Sequence, residues 1–233
     1  MAQPPDISET FVREVDENLR RDQMRDFAQK HGVWVVVAAI LFLAAAGGFI
    51  YWQNWRGQQT QKQVEELSQT FNDIGAGKTG AASQQKLDAL AKDSSKAVRA
   101  TAMFARAAMA LQQNDTKLAT AKYREIASDD SLPKPFRDAA LIRQTSLEFD
   151  SLKPEDVIGR LQPLAKKGEP WFGSAGELTA IALMKQGKTK EAGALFASIA
   201  ADKQVPDEIR ARSVQIASTL GVDASGAMPL PAQ

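Results

Sequence analysis

The string Gly75-Ala76-Gly77-Lys78-Thr79 matches the end of a phosphate-binding loop. In such a loop backbone N–H groups cradle phosphates while the lysine and threonine hold phosphate and magnesium. That motif also needs a glycine five positions before its second glycine, where this chain has Asn72, and a β-strand leading into it. Val64, Leu67, Phe71 and Ile74, spaced by three and four, predict an amphipathic helix there instead. The string is therefore read as a flexible turn between helices, and no nucleotide is expected. Other chemistry is equally thinly provided. The chain has no cysteine, which removes disulfides, thiolate nucleophiles and thiolate zinc sites together. His31, the sole histidine, has no second ligand near it and stands at the edge of an apolar run. Glu125, Asp129, Asp130 and Glu148 are spaced as solvated helix and turn residues. No catalytic, cofactor-binding or metal residue is expected, and the chain is not expected to be an enzyme.

Charge excludes another class. The 29 basic and 28 acidic residues nearly cancel, and the balance persists beyond the N-terminal region, so no basic field awaits a phosphate backbone and nucleic acid is not an expected partner.

Residues 33–52 carry no charged side chain. About 20 residues rising 1.5 Å each give roughly 30 Å, the thickness of bilayer hydrocarbon, so the run predicts a single transmembrane helix. Trp34 at one end and Tyr51, Trp52 and Trp55 at the other suit the two headgroup layers. A cleaved signal would begin with a short basic region, whereas 32 residues of mixed charge precede this run, which reads as an uncleaved anchor. Arg20, Arg21, Arg25 and Lys30 lie before it and only Arg56 and Lys62 follow closely, which places the N-terminus in the cytoplasm. The larger part is then expected across the membrane, in the periplasm of a bacterium. Residues 1–32 read as a cytoplasmic amphipathic arm, with Ile7, Phe11, Val15 and Leu19 along one stripe. Its polar face mixes both signs of charge, which suits a protein partner, self-association or a merely solvated helix better than anionic lipid.

Residues 53–220 predict an all-α domain. After the first helix, stretches 83–92, 97–113, 116–127, 134–149, 154–166, 173–186, 189–201 and 206–220 alternate with short turns, and no strand pattern competes. Laying the chain on itself with a shift of 73 residues brings Ala107, Ala119, Tyr123, Ile126, Ala127 and Pro133 onto Ala180, Ala192, Phe196, Ile199, Ala200 and Pro206. Val157, Leu161 and Leu164 repeat the small-large-large spacing between them, so the shift is two units of roughly 34 to 40 residues, the period of tetratricopeptide-like helix hairpins. A small residue such as Ala119 or Ala192 lets two antiparallel helices approach, and the aromatic four residues on fills the space beside it. Each hairpin leaves an apolar face that a neighbour must cover, and the concave surface of such a stack is the default place for a peptide or protein partner. Trp171 and Phe172 are either an exposed docking pair or the inward-packed start of a helix. Residues 221–233 lack periodicity and are expected to form a disordered tail.

The run DISETFVREVDENLRRDQMRDFAQKHG, followed by one span and helix hairpins, resembles the tetratricopeptide-like family of ancillary SecYEG translocon subunits, the YfgM-like proteins. Its most specific part is Phe11-Val12-Arg13-Glu14-Val15-Asp16-Glu17 through Arg20-Arg21, directly before the span. The resemblance implies a bacterial inner-membrane protein with a cytoplasmic N-terminus and a periplasmic repeat domain, acting beside the SecYEG translocon and a membrane-tethered periplasmic chaperone. A periplasmic scaffold for envelope assembly or cell division is the alternative that similar repeats would serve.

Overall fold

The computed structural model describes the backbone of residues 7–93 and 95–227, and side chains over 41–92 and 95–226. The described elements are helical: α1 Ile7–Gly75, α2 Ala81–Asp93, α3 Lys96–Gln112, α4 Thr116–Ser128, α5 Lys134–Glu148, α6 Pro154–Leu161, α7 Phe172–Lys185, α8 Thr189–Ala201, α9 Asp207–Thr219 and a 3-10 turn Ser225–Ala227. The chain divides into two compact units, Met1–Gln59 and Thr60–Gln233.

In the first unit, α1 carries large apolar side chains in the open, including Leu41, Phe42, Leu43, Phe49, Ile50, Tyr51, Trp52 and Trp55. The Arg56 guanidinium lies 4.0 Å from the centre of the Trp52 ring. Among the described residues no helix is long and apolar enough to cross a membrane. The predicted span falls partly outside the described side chains, as do Trp34, His31, the stripe of the arm and the four basic residues before the span.

The second unit is a series of helix hairpins joined by four apolar clusters. Leu67 of α1, Leu87 and Leu90 of α2, and Val98, Ala102 and Met109 of α3 form the first. Ala100, Met103 and Ala107 on the other side of α3 pack with Tyr123 and Ile126 of α4 and Ala140 of α5. Ile142 of α5 joins Val157, Leu161, Leu164, and Ala175 and Ala182 of α7. Phe172 and Ala180 of α7 then pack with Phe196 and Ile199 of α8 and Val214 and Ala217 of α9. Thus α3, α5 and α7 each serve two clusters, as stacked hairpins require.

The 73-residue shift recurs in the bonding of the turns. At one turn Asp129 N–H donates to Ile126 O, Leu132 N–H to Asp129 O, and Phe136 N–H to Pro133 O. At the other, Asp202, Val205 and Ile209 make the same three bonds to Ile199, Asp202 and Pro206. Pro133 and Pro206 sit at the N-caps of α5 and α9, where a missing N–H breaks no helical bond.

Helix ends match the expected turns with one correction. The helix expected over 154–166 stops at Leu161, because Pro163 has no N–H to continue the ladder. The chain turns inward there, with Leu164 and Ala165 N–H both donating to Leu161 O, so that Leu164 stays buried. Glu148 of α5 gathers donors from three helices: Arg160 of α6 donates to it across the α5–α6 junction at 2.6 Å, Arg124 of α4 donates at 2.6 Å, and Gln144 donates from within α5 at 3.1 Å.

A second difference concerns the stretch expected to be a disordered tail. Its first residues pack against the last hairpin: Ala224 is buried, and a Cβ on Gly193 of α8 would come within 2.7 Å of Val222 Cγ2. A Schellman closure explains the turn, with Gly221 in the left-handed region (φ 79°) and Val222 N–H returning to Ala217 O.

Candidate interaction groove

The residues predicted to pack the repeats all lie inside. Ala107, Ala119, Tyr123, Ile126, Val157, Leu161, Leu164, Ala180, Ala192, Phe196 and Ile199 are buried. They build the scaffold and are not themselves open to a partner. Tyr51, Trp52 and Trp55, predicted as interfacial anchors, are exposed along α1.

The loop that resembles a phosphate cradle is a helix terminus. Gly77 takes φ 83°, its N–H donates to Ile74 O, and Lys78 N–H donates to Asp73 O, the paired bonds of a Schellman motif. Both amides are thereby turned back into α1. Lys78 Nζ bonds Asp73 Oδ1 at 3.0 Å, and this contact, above the others, holds the Asp73 carboxyl below the usual carboxylate range. The lysine and the amides that would hold a phosphate are engaged with the helix end.

Apart from Trp171, the sequence did not name the residues that line the open surface between the first helices of successive hairpins. A groove of about 410 Å³ lies there. Phe104 of α3 forms one wall, steadied by Tyr123 at 5.7 Å edge-on and Phe136 at 6.5 Å. Ala139, Ile142, Arg143 and Ser146 of α5 line it, as do Trp171 and Ser174, Glu177 and Leu178 of α7. The Trp171-Phe172 pair divides its labour: Phe172 is buried in the last cluster, while Trp171, half-buried at the N-cap of α7, faces the groove. Phe172 N–H donates to Glu169 O across the turn that starts this helix.

The charges of the groove are not equivalent. Glu177 is held from α9 by Arg212, whose Nε donates to Oε1 and whose Nη2 donates to Oε2 at 2.8 Å. The Glu177 contact pushes the Arg212 guanidinium up, keeping it charged. Arg143 is exposed, and its charge acts on Tyr123, whose phenol burial pushes up and Arg143 pulls partly back. Among the described residues no group of three or more acidic or histidine side chains is placed to hold a metal ion.

Stacked helix hairpins with an open surface along their first helices define a protein-interaction scaffold, a class that is typically non-catalytic. The chain belongs to the tetratricopeptide repeat-like domain family, whose model matches residues 25–216, well over half its length. No curated protein and no solved structure matches it.

Proposed function

We propose that this chain is a membrane-tethered protein–protein interaction module, an ancillary subunit of the Sec translocon that links it to a membrane-tethered periplasmic chaperone. The observation that carries the interaction role is the groove lined by Phe104, Ile142, Trp171 and Leu178, apolar side chains presented together by three helices of a repeat scaffold. The tether is supported by the exposed apolar side chains from Leu41 to Trp55, continuous in sequence with the uncharged residues before them. The excess of arginine and lysine before that run favours a cytoplasmic N-terminus and a periplasmic repeat domain at the bacterial inner membrane. The translocon and chaperone follow from the resemblance of the N-terminal run.

A photoreactive residue at Ala139 or Ser174, activated in living bacterial cells, tests this reading. Adducts with translocon subunits and a chaperone are expected; adducts with envelope-assembly or division proteins alone would replace it with the scaffold reading. Topology is read separately. The chain has no cysteine, so Gln112→Cys gives a single thiol on an exposed helix end. A membrane-impermeant maleimide should label it in intact spheroplasts, and labelling only after lysis would reverse the orientation.

A further inference from the structure

The groove has hydrogen-bond donors that the protein itself leaves unused. Its one lining carboxylate, Glu177, is engaged by Arg212. Every other arginine from Arg99 to Arg212 holds a carboxylate, but Arg143 makes no hydrogen bond or ion pair among the described residues. The side-chain hydroxyls of Ser146 and Ser174, on the same groove, likewise enter no hydrogen bond among the described residues. Three uncommitted donors thus stand between apolar walls.

That pattern selects among occupants. A purely apolar segment would cover the Arg143 guanidinium and leave it dry and unpaired, which is costly. A basic segment would meet it with like charge. A carboxylate matches the planar guanidinium fork with two parallel, charge-assisted bonds and has further lone pairs for hydroxyl donors. We infer that the groove takes an extended polypeptide segment with an acidic side chain between apolar ones. The carboxylate sits on Arg143 with Ser146 and Ser174, and the apolar neighbours lie against Phe104, Ile142, Trp171 and Leu178. This rests on the groove being the partner-binding face.

The test uses the full chain in mild detergent and three fluorescein-labelled, C-terminally amidated peptides followed by anisotropy: acidic GSFELDFSG, neutral GSFQLNFSG and basic GSFKLKFSG. The acidic peptide should bind saturably, and the neutral and basic ones at least about tenfold more weakly. Arg143→Gln should weaken the acidic peptide by roughly tenfold, Arg143→Lys less, and added salt should weaken it further. Because Arg143 is exposed, an unchanged melting temperature will show that the variants are folded. Equal affinity for acidic and neutral peptides, no binding of the acidic peptide, or indifference to Arg143→Gln would each overturn the inference. The two readings fail separately: translocon adducts from Ser174 with charge-blind peptide binding would leave the groove its partner and remove the acidic requirement. Acidic-peptide binding that needs Arg143 without translocon adducts would keep the inference and remove the translocon.

Discussion

Ser213 in α9 stands where Ala140 stands in α5 under the 73-residue shift, and its fully buried hydroxyl has no hydrogen-bond partner among the described residues. Hiding a hydroxyl without a partner costs about 1–3 kcal/mol, and the alanine of the equivalent site fills the same space without that penalty. Ser213→Ala is therefore expected to stabilise the domain by about 1 kcal/mol, and Ala140→Ser to destabilise it by a similar amount. Denaturant unfolding followed by circular dichroism measures both. A loss of stability in Ser213→Ala would show that the hydroxyl is bonded after all.

Ala119 and Ala192 are both fully buried where the second helix of a hairpin meets its neighbours. Replacing either with Leu should overpack the hairpin and cost roughly 1–3 kcal/mol. Gln112→Leu, on an exposed helix end, should change stability by no more than about 0.5 kcal/mol. Melting curves of the three variants decide it, and three equal midpoints would count against close packing at these alanines.

The Schellman closure of α1 separates two neighbouring residues. Gly77→Ala forces a side chain into φ 83° and should cost about 1 kcal/mol, whereas Lys78→Ala removes a largely exposed, solvent-screened ion pair and should leave the melting temperature nearly unchanged. Neither change should alter calorimetric titration with ATP, for which no heat of binding is expected in any variant. Micromolar binding lost on Lys78→Ala would restore the phosphate-loop reading.

Glu148 makes stability depend on acid. Burial alone pushes its carboxyl up, but bonds from Arg160, Arg124 and Gln144 together outweigh burial and hold it below the ordinary glutamate value. In that window the unfolded chain binds more protons than the folded one, so stability rises with pH. The contribution is complete above about pH 4.3 and is lost as pH falls through the lower folded value. Glu148→Gln should cost about 1 kcal/mol at pH 7, and its melting temperature should converge on the unaltered protein's as the pH drops below about 4. A constant gap down to pH 3 would mean that the bonds to Glu148 do not depend on its charge.

Much of the helical architecture was legible because local chemistry punctuates it. Asn114 and Gly187, 73 residues apart, both adopt positive φ at the ends of first helices, and Pro133 and Pro206 both open the next hairpin. Pro163 carried an equally local signal, a missing N–H, and the apolar spacing through Leu164 masked it. The arm, the predicted span and the first repeat helix differ in which faces are apolar, which suggested separate elements. A change of apolar face needs no break in backbone bonding, and α1 continues from Ile7 to Gly75. Trp171 was legible as a candidate docking residue, but the groove it joins was not. Phe104, Arg143 and Trp171 are far apart in sequence, and only the stacking of α3, α5 and α7 assembles them. The available hint was that α5 carries small or apolar residues on more than one face, as a helix between two neighbours must.

The four clusters are arranged in series, and this has a mechanical consequence. No hairpin owns a closed core, so a load applied at one end of the repeat domain passes through α3, α5 and α7 one interface at a time. Such a chain of interfaces yields at its weakest joint rather than all at once. The junction of α5 with α6 is one such interface, bridged by the Arg160–Glu148 ion pair beside the apolar cluster of Ile142, Val157 and Leu161, and α5 is also the helix that carries Arg143. A load that displaced α5 at that interface would therefore reshape the groove that α5 lines.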